Sequence, residues 1–230
     1  MHRNYLTIQL VTNCGDKDID SYLTFVENAL CGGVTSVQLR EKCMARGRRL
    51  HFAQALHALL LQYDVPFIIN DDVRLAKTID AEGVHLGQTD GCPRDARRYL
   101  GPTKIIGWTV ETSEQLEMAN LLDCIDYVGC GSIFASKSKL DCAHLFGLDG
   151  LRRAVAHSTH PIIAIGGIDL RNARQVYQTG CAGVAVIAAI HDTTHPQDVV
   201  LQLLREKNAV SKNDQAIETA DSKYFQLRDR

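Results

Sequence analysis

Ser36-Val37-Gln38-Leu39-Arg40-Glu41-Lys42 is the stretch of sequence that indicates the fold. Read as a β-strand, it places Val37 and Leu39 on one face, because successive side chains point to opposite sides. The other face carries Gln38, Arg40 and Lys42. Residues 30–34 before it are typical of a helix end followed by a glycine turn, which favours a parallel sheet covered on both faces. The polar face is then either solvated or directed at an anion.

Apolar, β-branched runs follow amphipathic segments along most of the chain. The eight candidate strands are Leu6–Thr12, Ser36–Glu41, Phe67–Asp71, Gly83–Gln88, Ile105–Val110, Tyr127–Ile133, Pro161–Gly167 and Gly183–Ile190. Strand followed by helix, eight times over, is the pattern of an α/β fold of the (β/α)₈ TIM barrel type. An open doubly wound sheet is the alternative, but Thr12-Asn13-Cys14-Gly15-Asp16 is not the G-x-G-x-x-G turn that such a sheet carries after its first strand.

The ends of several helices follow from their capping residues. Thr112-Ser113-Glu114-Gln115 is typical of a capping box that opens a helix. Asp169 is expected to cap the segment that runs to Gly180. Pro93 and Pro196 suit the first turn of a helix.

The chain has 230 residues, which gives room for one sizeable core. We expect residues 1–205 to form a single-domain barrel that carries the catalytic site. Residues 206–230 are polar and poor in aliphatic side chains, so we expect a C-terminal tail that is either mobile or a loosely docked helix.

Composition excludes several classes of partner. The formal net charge is −2, which gives no reason to expect a nucleic acid or a membrane surface. No run approaches the ~18 apolar residues of a membrane span, and the first residues lack a signal-peptide core. The eight cysteines form no C-x-x-C pair, which favours reduced thiols in a cytoplasmic protein and gives no support to structural zinc.

The unusual polar residues fall at the carboxyl ends of the candidate strands, where barrels of this kind carry their chemistry. They include Gln38, Arg40, Lys42, Asn70, Asp71, Asp72, Gln88, Asp90 and Thr109. Asp71 and Asp90 follow adjacent strands, so both carboxylates can reach one point and, with Asn70, favour a hard cation such as Mg²⁺. The alternative is that Asp71 or Asp72 caps the next helix, and we expect this role for Asp72.

A second group of residues suits phosphate. Gly166 and Gly167 after the seventh strand, with Ile187 and Ala188 after the eighth, can offer backbone N–H groups, although a tight turn explains the glycines equally well. Residues 135–141 form a polar loop that is either a lid or an ordinary exposed loop. It contains Ser136, Ser138 and Lys139. Two anion sites and a magnesium site imply that a phosphoester or pyrophosphate substrate meets a phosphate-bearing partner.

Five segments carry a resemblance to a known family. They are Gln38-Leu39-Arg40-Glu41-Lys42, Ile69-Asn70-Asp71, Gly83-Val84-His85-Leu86-Gly87-Gln88 with Asp90, Ile165-Gly166-Gly167-Ile168, and the end of the eighth strand. In this order and spacing the chain resembles thiamine-phosphate synthase over roughly residues 5–205. The resemblance implies a Mg²⁺-dependent barrel transferase. Its substrates would be two small molecules, 4-amino-2-methyl-5-hydroxymethylpyrimidine diphosphate and 4-methyl-5-(2-hydroxyethyl)thiazole phosphate, which it would join to give thiamine phosphate and pyrophosphate.

The resemblance also implies residue roles. The pyrimidine diphosphate site would comprise Gln38, Arg40, Lys42 and Asn70. Asp71 and Asp90 would hold Mg²⁺. The thiazole phosphate would be held by Gly167, Ile187 and Ala188. Hydroxyl groups would come from Thr109, where the family usually has serine, and from Ser136 and Ser138, where it usually has threonine. The catalytic cations, which neutralise the departing pyrophosphate, would be Arg40, Lys42 and Lys139.

Three departures from the family pattern bear on substrate affinity. Ala188 replaces an expected serine, so that phosphate site would have to rely more on backbone N–H groups. Trp108 is much larger than the small apolar residue expected beside Thr109, and either reshapes or buttresses the wall. Ser132 stands where a proline is usual.

Two other functions remain as alternatives. A thiazole tautomerase-like isomerase on a similar barrel would not need the paired acids and would carry a histidine base at its mouth. This sequence has no histidine immediately after the fifth or sixth candidate strand. A non-catalytic barrel that binds a phosphate ligand would not need Asp71, Asp90 and Lys139. We expect His85 to be packed rather than catalytic. The oligomeric state is open, a homo-oligomer included.

Overall fold

Eight parallel strands close into a barrel in the order in which they occur in the chain. The computed structural model describes residues 3–135 and 145–226. The strands are β1 (Ile8–Val11), β2 (Ser36–Leu39), β3 (Phe67–Asn70), β4 (Gly83–Leu86), β5 (Ile105–Val110), β6 (Tyr127–Gly131), β7 (Ile162–Ile165) and β8 (Gly183–Val186). Because β1 pairs with both β2 and β8, the sheet has no free edge. The predicted (β/α)₈ barrel is confirmed.

The helices alternate with these strands around the outside of the barrel. They are α1 (Ile19–Cys31), α2 (Arg46–Gln62), α3 (Val73–Thr78), α4 (Pro93–Leu100), α5 (Ser113–Asn120), α6 (Gly147–His157), α7 (Ala173–Tyr177), α8 (Ala188–His191) and α9 (Pro196–Gln226), and a 3₁₀ turn (Arg3–Leu6) precedes β1. Within the described residues no helix is long and apolar enough to cross a membrane. The segment 206–226 continues α9, and the predicted domain division at residue 205 stays a prediction.

All eight predicted strands exist, but most are shorter than the apolar runs that predicted them. At the end of β2, the backbone N–H of Arg40 donates to the hydroxyl of Thr12 at 3.0 Å instead of to a strand carbonyl. At the end of β3, Asp71 takes a left-handed φ of +65°, which ends the strand. The largest error concerns β8, because the predicted strand included residues 188–190, which belong to α8.

Of the four predicted helix starts, three are correct, including the one at Thr112, and the one at Asp169 is wrong. α4 begins at Pro93 and α9 at Pro196. The carboxylate of Asp169 accepts the backbone N–H of Arg171 at 2.8 Å, so it closes the turn before α7, whose N-cap is Asn172.

The predicted capping box is present in altered form. The hydroxyl of Thr112 accepts the N–H of Gln115 at 3.3 Å, which is the expected N-cap contact. The side chain of Gln115 accepts the N–H of Glu111 at 2.6 Å, one residue earlier than a standard box would place it.

The core has two layers because the strands are buried on both faces. The layer inside the barrel comprises Leu6, Val11, Ile68, Ile105, Tyr127, Ile163 and Ala185. The larger layer lies between the strands and the helices, and it includes Val37, Leu39 and Trp108. Alternation along β5 therefore turns Trp108 toward the helices and Thr109 toward the inside of the barrel. Trp108 buttresses the wall and does not reshape the mouth.

Candidate active site

A cavity of about 680 Å³ opens at the carboxyl ends of the strands. Its wall brings together these predicted site residues: Gln38, Arg40, Lys42, Asn70, Asp71, Asp90, Thr109, Gly167, Ile187 and Ala188. Three further predicted site residues, Ser136, Ser138 and Lys139, lie outside the described residues. The cavity is large enough for a drug-sized ligand.

Gln38, Arg40 and Lys42 approach the cavity in two ways, because only Gln38 belongs to β2. Gln38 lies on the strand, is 3% exposed, and donates from Nε2 to the side-chain carbonyl of Gln9 at 2.9 Å. Arg40 and Lys42 follow the last residue of β2 and reach the cavity from the turn after it. The ammonium of Lys42 lies 4.0 Å from a carboxylate oxygen of Asp71 and its side chain is 60% exposed, so it has room to reorient toward a ligand.

Asp71 and Asp90 form a carboxylate pair at this end of the cavity. The N–H of Asp71 donates to the carbonyl of His85 at 2.8 Å, and Oδ2 of Asp90 accepts the N–H of Gly87 at 2.9 Å. Burial raises the pKa of Asp71 to about 6, helped by its hydrogen bond to Asp90 and by the charge of that group, while Lys42 opposes the shift.

This donor set fits a hard divalent cation. Two carboxylates held this close repel one another, and a proton or a cation between them relieves the repulsion. Among the described residues no group of three or more His, Cys, Asp or Glu side chains could hold a metal ion. A carboxylate pair is nevertheless the number of protein ligands that Mg²⁺ commonly takes when water and substrate phosphates complete its shell.

Asp72 takes the capping role that the sequence predicted for it. Its Oδ1 accepts the N–H of Leu75 at 2.9 Å and so caps α3. Its Oδ2 lies 2.9 Å from the guanidinium of Arg49. It does not line the large cavity, whereas Asp71 does, so the two adjacent aspartates have different surroundings.

His85 lies at the floor of the cavity. Its Nδ1 lies 2.9 Å from the hydroxyl of Tyr127, and its Nε2 lies 2.7 Å from the hydroxyl of Thr109. Burial lowers the pKa of His85 to about 4, so the imidazole is neutral at pH 7. The ring is packed as predicted, and it also holds the Thr109 hydroxyl at the cavity wall, a role that its position in the sequence did not reveal.

The two glycines after β7 are required by the backbone. Gly166 and Gly167 have φ of +103° and +63°, which side-chain-bearing residues rarely adopt. A Cβ on Gly167 would lie 2.6 Å from the carbonyl of Ala135, and one on Gly166 would lie 2.7 Å from Cβ of Ser132. Because Gly166 has no side chain, the side chain of Ser132 fits against it.

Sequence reasoning missed several polar residues on the rim. The cavity is also lined by Glu111, Asp169, Arg171 and Asp192. The guanidinium of Arg171 pairs with the carboxylate of Asp169 and is 89% exposed. These residues follow their strands by a few positions, so a search carried further into the strand-to-helix loops would have found them.

Known proteins resemble the chain over most of its length. The model of a family described as thiamine monophosphate synthase matches residues 8–190. The thiamine-phosphate synthase of Chlamydia abortus is 45% identical over 206 residues, which cover 90% of this chain and 96% of that protein. The thiamine-phosphate synthase of Limosilactobacillus reuteri is 38% identical over 208 residues, covering 88% and 95%.

A solved structure agrees with these sequence matches. The thiamine phosphate pyrophosphorylase from Pyrococcus furiosus superposes with a TM-score of 0.81 at 33% identity, covering 90% of this chain and 98% of that one. Fold, family model and relatives therefore point the same way: the chain belongs to the thiamine monophosphate synthase family.

Proposed function

We propose that the cavity at the barrel mouth is the site at which this transferase carries out the reaction of its family. That reaction joins the pyrimidine diphosphate to the thiazole phosphate and releases pyrophosphate and thiamine phosphate. The observation that carries the assignment is the presence of two chemically distinct ends in one cavity. Asp71, Asp90 and two cationic side chains lie at one end, and the turns after β7 and β8 lie at the other.

The first end is assigned to the pyrimidine diphosphate. Gln38 and Asn70 would orient this substrate by hydrogen bonds, and Arg40 and Lys42 would neutralise its diphosphate. Asp71 and Asp90 would hold Mg²⁺ there. Bound Mg²⁺ supplies charge stabilisation for the departing pyrophosphate.

The second end is assigned to the thiazole phosphate. Gly167, Ile187 and Ala188 would bind its phosphate, chiefly through backbone N–H groups, because none of them carries a polar side chain. The Thr109 hydroxyl, held by His85, would contact the substrates between the two ends. Ser136, Ser138 and Lys139 are assigned to the same site on the family resemblance.

The chemistry requires no protein nucleophile. The bond between the pyrimidine methylene carbon and the diphosphate oxygen breaks, and its electron pair leaves on the oxygen. The amino-substituted ring delocalises the positive charge that develops. The lone pair of the thiazole nitrogen then forms the new C–N bond. Arg40, Lys42 and Lys139 stabilise the charge that accumulates on the leaving group, and this is the main catalytic task of the protein.

The test is incubation of the purified protein with both substrates and Mg²⁺, with thiamine phosphate and pyrophosphate measured together. Both products should appear in equal amounts, and neither should appear when one substrate is omitted. No product, with a known synthase active in parallel, would overturn the assignment. Removal of Mg²⁺ by a chelator should stop the reaction, and readdition should restore it.

Lys139→Ala should lower turnover by about 10²–10³, the usual cost of losing one preorganised charge-stabilising group. Thermal unfolding should show that the variant remains folded. The matched control is Lys77→Ala, a lysine in the last turn of α3 and outside the lining of the cavity. Near-normal turnover of Lys139→Ala would remove that residue from the mechanism.

The remaining partner assignments are also proposals. The net charge of −2 supports a protein that binds no nucleic acid. Seven cysteines of the described part are free thiols, which supports a cytoplasmic location. Sedimentation at several protein concentrations would show whether the protein forms a homo-oligomer.

A further inference from the structure

A chain of hydrogen bonds connects the loop after β1 with the turn after β8. The N–H of Asn13 donates to the hydroxyl oxygen of Tyr22 at 2.9 Å. That hydroxyl lies 2.6 Å from Nε2 of His191, and Nδ1 of His191 lies 2.8 Å from the carbonyl of Ile187. None of the functions assigned above uses Tyr22 or His191.

The partners determine the direction of each bond. The Ile187 carbonyl can only accept, so Nδ1 of His191 carries the hydrogen. Nε2 of a neutral imidazole then accepts, so the Tyr22 hydroxyl donates to it while accepting from Asn13. Burial lowers the pKa of His191 below its ordinary value, which favours this neutral form.

Packing holds the two rings in place. Tyr22 is 2% exposed, and its ring stacks on that of His191 with 5.8 Å between centroids and 18° between planes. The ring of Phe25, also on α1, lies 5.0 Å from that of His191. The link between α1 and α8 is thus a partly buried aromatic contact with a hydrogen bond at its centre.

The link between Tyr22 and His191 bears on the orientation of one peptide group, the one that joins Ile187 to Ala188. A trans peptide is planar, so the carbonyl of Ile187 and the N–H of Ala188 point in opposite directions. Three groups hold that carbonyl: the N–H groups of Ile190 and His191, each at 3.1 Å, and Nδ1 of His191. All three belong to residues of α8 itself, and α8 has only four residues, too few to be stable in isolation. An anchor outside α8 is therefore needed to fix the turn.

We propose that Tyr22 and His191 are positioning residues for the phosphate end of the site. They hold the one-turn helix α8 against α1, and so keep the Ala188 N–H directed for phosphate binding. This inference rests on the proposed assignment of Ile187 and Ala188 to the thiazole phosphate. It also gives that subsite a source of rigidity at a position where Ala188 supplies no hydroxyl group.

The loop that anchors Tyr22 is itself fixed on its other side. The carboxylate of Glu41, which is 8% exposed, accepts the N–H of Cys14 at 2.7 Å and that of Gly15 at 3.1 Å. The loop after β1 is therefore tied both to the end of β2 and, through Tyr22 and His191, to the start of α8. A rigid anchor is what a positioning contact requires.

Tyr22→Phe and His191→Phe test the proposal, because each keeps a ring for packing and removes the hydrogen bond. Both should raise the KM for the thiazole phosphate by about five- to tenfold, the worth of one hydrogen bond. The KM for the pyrimidine diphosphate and the kcat at saturation should stay unchanged. The double variant should match the worse single variant, because both substitutions break the same link.

His191→Gln and Tyr63→Phe complete the set. Glutamine can still accept the Tyr22 hydroxyl, so His191→Gln should raise the KM for the thiazole phosphate less than His191→Phe does. Tyr63→Phe removes a 2.8 Å hydrogen bond to Glu27 that lies outside the cavity lining, and it should change neither KM. Thermal unfolding of every variant shows whether it is folded under assay conditions.

The outcomes separate this inference from the proposed function. If the wild-type protein forms no thiamine phosphate, the proposed function falls. Ala188→Asp, at an exposed position of the cavity lining, tests the phosphate subsite itself, because its carboxylate would repel the phosphate. If it raises the KM for the thiazole phosphate while the Tyr22 and His191 variants do not, the subsite stands and the positioning role is overturned. Equal rises in both KM values would also overturn that role, because they indicate a general structural defect.

Discussion

Asp71 and Asp72 are neighbours in the chain, yet their carboxylates have different surroundings. The left-handed φ of Asp71 turns its side chain into the cavity beside Asp90, whereas the carboxylate of Asp72 caps α3. Burial and the nearby Asp90 raise the pKa of Asp71 to about 6. A carboxyl group whose pKa is raised in this way is typical of a functional site. Asp72 serves as the matched structural control.

Asp90→Asn should weaken the magnesium dependence of the reaction. The amide keeps the size of the side chain but removes one of the two charges that attract the cation. The measurement is turnover against Mg²⁺ concentration, and the midpoint should move to higher concentration. Asp95→Asn, an exposed position on α4, is the control. An unchanged titration of the Asp90 variant would contradict the assignment of the carboxylate pair.

His85 should make the stability of the protein depend on pH. The folded protein keeps His85 neutral down to about pH 4, whereas the unfolded chain takes up a proton near 6.5. Between these values the unfolded state binds more protons, so the free energy of unfolding falls as the pH falls. Between pH 7 and pH 5, this group lowers the free energy of unfolding by about 2 kcal/mol.

Urea unfolding at pH 7 and pH 5 measures this effect. Between pH 7 and pH 5, His85→Gln should lose about 2 kcal/mol less of its free energy of unfolding than the wild type does, because glutamine does not titrate. His195→Gln, which replaces an exposed histidine, should leave the difference as it is in the wild type. If His85→Gln and the wild type lose the same stability, the pH dependence comes from other groups.

At the scale of elements, the sequence predicted strands and helices better than their ends. Eight apolar runs were enough to identify eight strands, because each strand is buried on both faces. Several strand ends depend instead on contacts between segments distant in the sequence. The N–H of Arg40 donates to the hydroxyl of Thr12 instead of to a strand carbonyl. No local pattern near Arg40 predicts this contact.

Asp72→Ala should destabilise the protein while leaving its activity intact. It removes the N-cap of α3, which costs about 1 kcal/mol, and the contact with Arg49. Urea unfolding measures the loss, and turnover of both substrates should be unchanged. Asp72→Asn, which can still cap, should recover most of the stability. A fall in turnover of Asp72→Ala would place Asp72 in the site and contradict the division of roles between the two aspartates.

At the scale of the molecule, α9 completes the outer layer beside the junction between the first and last strands. It packs against α1, α7, α8 and β1. A Cβ on Gly32 would lie 2.6 Å from the carbonyl of Gln197, so the end of α1 and the start of α9 meet backbone to backbone. α9 therefore supports α1 and α8, the two helices that carry the Tyr22–His191 link.

Leu203→Ala should lower the free energy of unfolding by about 2–5 kcal/mol, because Leu203 is fully buried and its loss leaves a cavity. Leu201→Ala on the same helix replaces a side chain that is 37% exposed and should cost much less. Denaturant unfolding of both variants gives the comparison. Equal losses would show that α9 is not packed by the face that contains Leu203.

By itself the sequence determined the barrel, the family resemblance and most of the residues that line the mouth. It could do so because strand burial and the location of chemistry at strand ends are properties of regular alternation. Only the tertiary structure decided what joins the elements across the barrel. The division between Asp71 and Asp72, the orientation of Trp108, the contact of His85 with Thr109 and the Tyr22–His191 link all depend on backbone angles and contacts between segments far apart in sequence. No local pattern encodes such contacts, because each exists only once both partners are in place.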